Sequence, residues 1–186
     1  MNCYVLAGGR SRRLGRSKPE LFLDRVTAAA RPAFDDVIIV LGPERGADVP
    51  SARLLFEAPH EHAGPIFGVE RALEHANADC FILAVDYPLI TTEVLRFLRD
   101  RFAVPVWRGK PQTLCTAYSF ASLPLIRSRI AAGRLDLRGL IEEAGTAIIE
   151  ESELRARFAG QPLLNVNTPE DLEEAKAIDE RVLPSR

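Results

Sequence analysis

Short apolar runs that do not alternate with polar residues recur along the chain, separated by longer stretches whose apolar positions repeat with a helical period. Val37-Ile38-Ile39-Val40 and Phe81-Ile82-Leu83-Ala84-Val85 show the pattern most clearly. A strand that is apolar at every position has to be covered on both faces, as in a mostly parallel sheet flanked by helices. The spacing predicts strands over 3–7, 37–41, 53–56, 80–85, 104–107 and 113–120. It predicts helices over 20–30, 66–76, 92–102, 122–132, 137–144, 152–158 and 169–181. The fold class that follows is α/β, a three-layer α/β/α Rossmann-like arrangement around a mostly parallel central sheet. At 186 residues, without a linker, repeat or low-complexity tract, the expectation is a single domain over 1–186.

Composition narrows the classes of function. An apolar fraction of 47% with 27% charged residues is that of a globular protein, and no apolar run approaches the roughly 18 residues of a membrane span. The first residues, Met1 to Leu6, run into a glycine turn without a charged leader or a small-residue cleavage site, which sets the expectation of a cytoplasmic protein. A net charge of -2 argues against nucleic acid as the main partner, because non-specific binding needs a dominant positive field. Cys3, Cys80 and Cys115 each lie in an apolar run with no zinc-like spacing and are read as reduced core thiols. His60, His62 and His75 show no metal-ligand spacing and are read as surface residues.

In a sheet of this kind ligands collect outside the carboxyl ends of the strands, so the residues that follow strands carry the information. After the first strand comes Leu6-Ala7-Gly8-Gly9-Arg10-Ser11-Arg12-Arg13-Leu14-Gly15-Arg16-Ser17-Lys18-Pro19-Glu20. Gly8 and Gly9 let the backbone turn and approach a phosphate or a base, and Arg13 and Lys18 can neutralise a polyanion. The alternative is a glycine turn followed by solvated arginines. Crowded basic residues in one strand-to-helix connection are easier to rationalise with an anion among them. The spacing is neither the dinucleotide G-x-G-x-x-G nor a Walker loop, which sets aside a Rossmann dehydrogenase. Ser17 and Glu20 have capping-box spacing, which puts Lys18 and Pro19 in the first helical turn, where the helix dipole favours an anion.

Three further motifs follow predicted strands or open helices. Asp86-Tyr87-Pro88 ends the 80–85 run on a carboxylate, which either closes the turn or holds a hard cation such as Mg²⁺ together with substrate phosphates. Gly64-Pro65-Ile66-Phe67-Gly68 is either an ordinary helix start or a place where side chains are excluded for a close contact. In Asn165-Val166-Asn167-Thr168-Pro169-Glu170-Asp171-Leu172 the two asparagines point the same way from an extended segment, either toward a ligand or simply as turn residues. There Thr168 can cap the last helix, Pro169 suits its first position, and Glu170 and Asp171 complement its dipole.

Taken together, the Leu-Ala-Gly-Gly loop ending on Lys18, the Asp86-x-Pro, the Gly64-Pro65-x-x-Gly68 and the Asn165-x-Asn167-Thr-Pro-Glu-Asp-Leu run resemble the MobA-like nucleotidyltransferases, the group of molybdenum cofactor guanylyltransferase. The likeness extends from about Asn2 to Ile178. It implies the nucleotidyltransferase version of the fold and transfer of GMP from GTP to molybdopterin with release of pyrophosphate, using Mg²⁺. It implies nucleotide contacts from Leu6, Ala7, Gly8, Gly9 and Lys18, with Arg13 near the phosphates and Asp86 on the metal. Gly64 and Gly68 are placed near the nucleotide, and Glu57 stands where the family tends to carry an aspartate that touches it. Asn165 and Asn167 fall at the acceptor end of the site, and Lys110 to Thr113 with Arg134 and Arg138 fall in the pterin region. Arg13, Lys18 and Asp86 are thus the expected catalytic residues, with other cofactor-assembly or insertion proteins as possible partners.

The sequence also departs from the family. After Lys18 a longer connection with a Gly-x-Pro is missing, which is expected to reshape the site. Ser17 replaces the commoner aspartate, and Leu41-Gly42-Pro43 lacks the polar residue that some members place near the base. Open alternatives are therefore cytidylyl transfer to molybdopterin, a sugar or polyol phosphate acceptor, or a nucleotide-binding regulator without turnover.

Overall fold

The computed structural model of the chain describes residues 1–8, 18–42, 53–57 and 64–182. In chain order the described strands are β1 (Cys3–Leu6), β2 (Val37–Leu41), β3 (Arg53–Phe56), β4 (Cys80–Ala84), β5 (Val104–Trp107), β6 (Lys110–Pro111), β7 (Cys115–Tyr118) and β8 (Ile148–Ile149). The helices are α1 (Lys18–Ala30), α2 (Pro65–Ala76), α3 (Thr92–Arg101), α4 (Leu123–Ala131), α5 (Leu137–Glu143), α6 (Glu151–Arg157) and α7 (Pro169–Ile178). The main sheet has the order β3-β2-β1-β4-β7, parallel apart from β7, which runs antiparallel to β4.

The unbroken apolar runs are explained by what covers the sheet. Cys3 and Val5 of β1, with Ile39 of β2 and Phe81 and Leu83 of β4, pack in one cluster with Phe22 and Val26 of α1, Leu95 and Leu98 of α3 and Leu172 of α7. Tyr4 and Leu6, with Ile38, Val40 and Ile82, pack in a second cluster with Ile66, Val69 and Leu73 of α2, Ile126 of α4 and Leu140 of α5. Alternate residues of one strand therefore supply two cores, and the layers are helix, sheet, helix. Burying a large apolar side chain is worth about 1.5–3 kcal/mol, so a strand buried on both faces recovers its ordering cost twice per pair of residues. The three cysteines are free and buried in these cores, as expected.

Sequence periodicity and structure differ where partners far along the chain intervene. The predicted 104–107 strand forms, but in a second sheet of order β6-β5-β8, because β7 takes the edge beside β4. A side chain links the start of β5 to the main sheet, Thr116 Oγ1 donating to the Ala103 carbonyl at 3.0 Å. The predicted strand over 113–120 shortens at both ends. Cys115 N turns back onto Gln112 O at 3.0 Å, and Phe120 N donates to the Asp79 carboxylate at 2.8 Å.

The last helix is also shorter than its pattern. It opens as expected: Thr168 Oγ1 accepts from Asp171 N at 3.2 Å and the Asp171 carboxylate accepts from Thr168 N at 2.9 Å, a reciprocal cap worth about 0.5–2 kcal/mol. It stops at Ile178 because Asp179 turns out to φ -144° and ψ 107°. The Asp179 carboxylate accepts from Arg181 Nε at 3.0 Å and from Arg25 Nη2 at 2.5 Å, tying the end of the chain to α1. Elsewhere the buried guanidinium of Arg129 joins α4 to α5, donating to Asp136 Oδ2 at 2.9 Å and Glu143 Oε2 at 2.7 Å.

Arg181 first, and then Arg25, hold the Asp179 carboxyl well below the usual carboxylate range. A carboxyl with a lowered folded-state pKa stabilises the fold above its unfolded value of about 4 and loses that contribution as pH falls further. Asp179→Asn is therefore expected to unfold at lower urea than the parent at pH 7. The difference in midpoint should narrow as pH is lowered below about 4.

Candidate active site

From β1 the chain moves outward to β2 and β3, then returns to the other side of β1 as β4. Strand order thus reverses between β1 and β4, and in open α/β sheets it is in the crevice outside the carboxyl ends of the strands at such a point that ligands bind. The two ends are bonded to their surroundings in sequence: Ala7 N donates to Val40 O at 2.9 Å, and Val85 N donates to Leu6 O at 3.2 Å. Leu6, Ala7, Gly8 and Asp86 consequently leave the sheet at the same place.

Asp86 lies in the turn after β4, and its carbonyl accepts from Val166 N at 2.9 Å. That bond lays the Asn165–Asn167 segment beside the turn. Val166 is fully buried, so the asparagines on either side face outward together, as an extended segment requires. Lys18 opens α1, as the motif spacing predicts, and its Nζ donates to Asp86 Oδ2 at 3.0 Å and to Asn167 Oδ1 at 2.5 Å. Asn167 Nδ2 in turn donates to Asn165 Oδ1.

The Lys18 and Asp86 side chains are 13% and 21% exposed, against 74% and 64% for the Arg138–Glu142 pair on α5. Solvent screens the second pair to about 0.5 kcal/mol or less, whereas the first keeps much more of its attraction. Two oxygens thus converge on one cation at the crevice. Among the described residues no three His, Cys, Asp or Glu side chains are grouped to cage a metal. The oxygens of Asp86 and Asn167 suit a hard cation that takes its other ligands from water and phosphate.

A second group forms around α2. Glu57 follows β3, its N donating to Leu41 O at 2.9 Å. A Cβ on Gly68 would come within 2.9 Å of Glu57 Oε1 and 3.2 Å of the Leu6 methyls, so the missing side chain makes room for both. Gly64 is different. Its φ of 172° is ordinary extended backbone, and among the described residues an added Cβ would meet nothing closer than Leu135 Cβ at 3.8 Å. Among those residues, protein contacts exclude a side chain at Gly68, while Gly64 precedes Pro65 at the start of α2.

Gly8 has a reason the sequence did not disclose. A Cβ there would lie 2.8 Å from Gly42 N, so the backbones at the ends of β1 and β2 touch through paired glycines. The signal for Gly42 was present, a glycine immediately after an apolar strand, but nothing local says which backbone it meets.

Several other candidates are accounted for by protein contacts. Gln112 is buried, with Nε2 donating to Lys110 O at 2.8 Å. Arg134 and Arg138 donate to Glu143 at 2.9 Å and to Glu142 at 3.0 Å. His75 is an exposed residue of α2, as expected, and its Nδ1 shares a 2.8 Å hydrogen bond with the buried Tyr4 hydroxyl. Burial pushes the Cys80 thiol up to about 12, which rules it out as a thiolate nucleophile at neutral pH. Gly9, Arg13, Ser17, His60 and His62 lie outside the described residues.

Comparison with known proteins places this geometry. Residues 3–164 match the family model of the MobA-like NTP transferase domain. A protein of Aquifex aeolicus (strain VF5) named "Probable molybdenum cofactor guanylyltransferase" is 33% identical over 187 residues, spanning 95% of this chain and 90% of that one. A protein of Pelotomaculum thermopropionicum with the same name is 30% identical over 189 residues, spanning 95% and 92%. The crystal structure of molybdopterin-guanine dinucleotide biosynthesis protein A from Archaeoglobus fulgidus superposes with a TM-score of 0.80 at 25% identity, over 97% of this chain and 100% of that one.

The glycines predict distinct outcomes. Gly8→Ala meets backbone, which cannot swing aside, and is expected to destabilise by about 1–3 kcal/mol in urea titration. Gly68→Ala meets the movable ends of Glu57 and Leu6, so it should keep nearly the parental midpoint while changing nucleotide affinity in a fluorescence titration.

Proposed function

The chain belongs to the MobA-like NTP transferase family, and on that premise we propose that it transfers GMP from GTP to molybdopterin. An anionic phosphate oxygen of molybdopterin forms a new bond to the α-phosphorus of GTP. The bond from that phosphorus to the α–β bridging oxygen breaks, and pyrophosphate leaves. The nucleophile is already ionised at neutral pH and needs no histidine or cysteine to take its proton. What the protein has to supply is position and positive charge.

The observation that carries this reading is the convergence of Lys18 Nζ with Asp86 Oδ2 and Asn167 Oδ1 at the mouth of the crevice. Lys18, at the start of α1, meets the phosphates together with the helix dipole. Arg13, five residues before Lys18 in the sequence, is proposed to add positive charge for the phosphates. Asp86 and Asn167 would hold Mg²⁺, which would supply positive charge against the phosphate oxygens. Leu6, Ala7, Gly8 and Gly9 support the nucleotide from the end of β1, Glu57 meets it across Gly68, and Asn165 faces the acceptor.

Cytidylyl transfer is the second reading, because Gly42 meets Gly8 at the end of β2 and, among the described residues there, no side chain beyond β2 distinguishes a base. No helix among the described residues is long and apolar enough to cross a membrane.

Pyrophosphate release from GTP, CTP, ATP and UTP, each with molybdopterin and Mg²⁺, tests the proposal. GTP is expected to be turned over fastest. Asp86→Ala should lower turnover roughly 100-fold while the circular dichroism spectrum is kept. Parental turnover in that variant, or no release from any nucleotide by the parent, overturns the reading.

A further inference from the structure

Helix α1 carries Lys18 at its first position and Arg25 seven residues later. Seven residues are close to two full turns, so both side chains leave the same side of the helix, about 10 Å apart along its axis. Both reach the turn that follows β4. Lys18 Nζ donates to Asp86 Oδ2 at 3.0 Å, and Arg25 Nε donates to the carbonyl oxygen of Pro88. Helix α1 is thereby tied to this turn at two points, with Phe22 and Val26 of the helix in the same core as Tyr87, Leu89 and Ile90.

Three successive carbonyls of the turn are engaged. Asp86 O accepts from Val166 N at 2.9 Å and Tyr87 O from Ile90 N at 3.1 Å, both backbone donors, whereas Pro88 O takes its bond from the Arg25 side chain. Pro88 is buried, so stranding its carbonyl would cost more than the bond itself contributes. The far end of the guanidinium is fixed as well. Nη1 donates to Arg181 O at 2.9 Å and Nη2 to Asp179 Oδ2 at 2.5 Å, so the three nitrogens of Arg25 hold three different acceptors. The single nitrogen of a lysine cannot reproduce that planar fork. The segment after α7 thus aims Arg25 Nε at the turn.

The two ties are not equivalent. On the reading given above, Asp86 serves the cation and Lys18 the phosphates, and neither then keeps the other as its partner. Arg25 uses a backbone carbonyl of the turn and no side chain of the site, so its tie is compatible with an occupied site. We propose that Arg25 is a positioning residue, which holds α1 in register with the Asp86–Pro88 turn while Lys18 exchanges the Asp86 carboxylate for the phosphates. The effect on rate rests on the nucleotidyltransferase reading, whereas the clamp between α1 and the turn does not.

Two substitutions separate this role from a general loss of stability. The Nε2 of a glutamine stands as many bonds from Cα as the Nε of arginine, so Arg25→Gln keeps a donor for Pro88 O and gives up Asp179 and Arg181. Arg25→Met matches the stem and donates to nothing. Both should unfold at lower urea than the parent, because both lose the chain end. In the protein alone, the backbone amides of α1 should exchange with deuterium about tenfold faster than in the parent in Arg25→Met and within about threefold of it in Arg25→Gln.

Mn²⁺ binding to the GTP-loaded protein, followed by electron paramagnetic resonance without acceptor, should weaken about tenfold in Arg25→Met. There kcat should fall by a similar factor while the KM for GTP at saturating Mg²⁺ stays within about threefold. Arg25→Gln should keep Mn²⁺ affinity and kcat within about threefold of the parent. Parental exchange and Mn²⁺ affinity in Arg25→Met, or an Arg25→Gln variant as impaired as Arg25→Met, overturns the proposal. If the exchange and Mn²⁺ results are as expected yet the parent releases no pyrophosphate from any nucleotide, the functional reading fails and the clamp stands.

Discussion

Strand β1 is hydrogen-bonded along both edges, to β2 and to β4, and covered on both faces. Almost everything else about the molecule depends on that position. Because all three strands are parallel, their carboxyl ends lie at one edge of the sheet, and the turns that follow them are brought within reach of one another. Because β2 and β4 flank β1 on opposite edges, strand order reverses beside β1, which is where open α/β sheets bind ligands, in the crevice outside the strand ends. Lys18 and Asp86 are 68 residues apart in sequence, and Lys18 and Asn167 are 149 apart. Their meeting is a property of the sheet.

Around this crevice the protein uses two kinds of precision. One is steric and is made by absent atoms: Gly8 against Gly42 sets how closely the ends of β1 and β2 approach, and Gly68 leaves space for Glu57 and Leu6. The other is electrostatic. Lys18 is held by a carboxylate and an amide oxygen in partial burial, where the attraction is screened less than at the surface. The amide that carries this oxygen is held on its other side, Asn167 Nδ2 donating to Asn165 Oδ1, and the backbone behind it is held by the Asp171 carboxylate, which accepts from Asn167 N at 2.9 Å.

The fold was legible at the level of elements because periodicity reports burial. Val37 to Val40 and Phe81 to Val85 are apolar at every position, and each is buried on both faces. The cap of α7 was equally visible, since Thr168, Pro169 and Asp171 act on their immediate neighbours. Where the reading fell short, the deciding partner was distant. Asp179 leaves the helical path for Arg25, β5 is displaced from the main sheet by β7, and the 113–120 run is cut by Gln112 and Asp79.

At the site the same division holds. The glycine-rich loop, Lys18 at a helix start, a carboxylate at the end of a buried strand and two outward asparagines could all be named from local pattern, since each is a short-range arrangement of residue types. The sequence by itself determined the α/β class, the strand ends as the place of chemistry and the residue types available there. Only the tertiary structure decided that Lys18, Asp86 and Asn167 share one cation position, that Gly8 is needed by Gly42, that Gly68 makes room for Glu57 and Leu6, and that Tyr87 faces Gln112. Those facts depend on which strand lies beside which, and strand order is set by packing across the whole chain, which no local window contains.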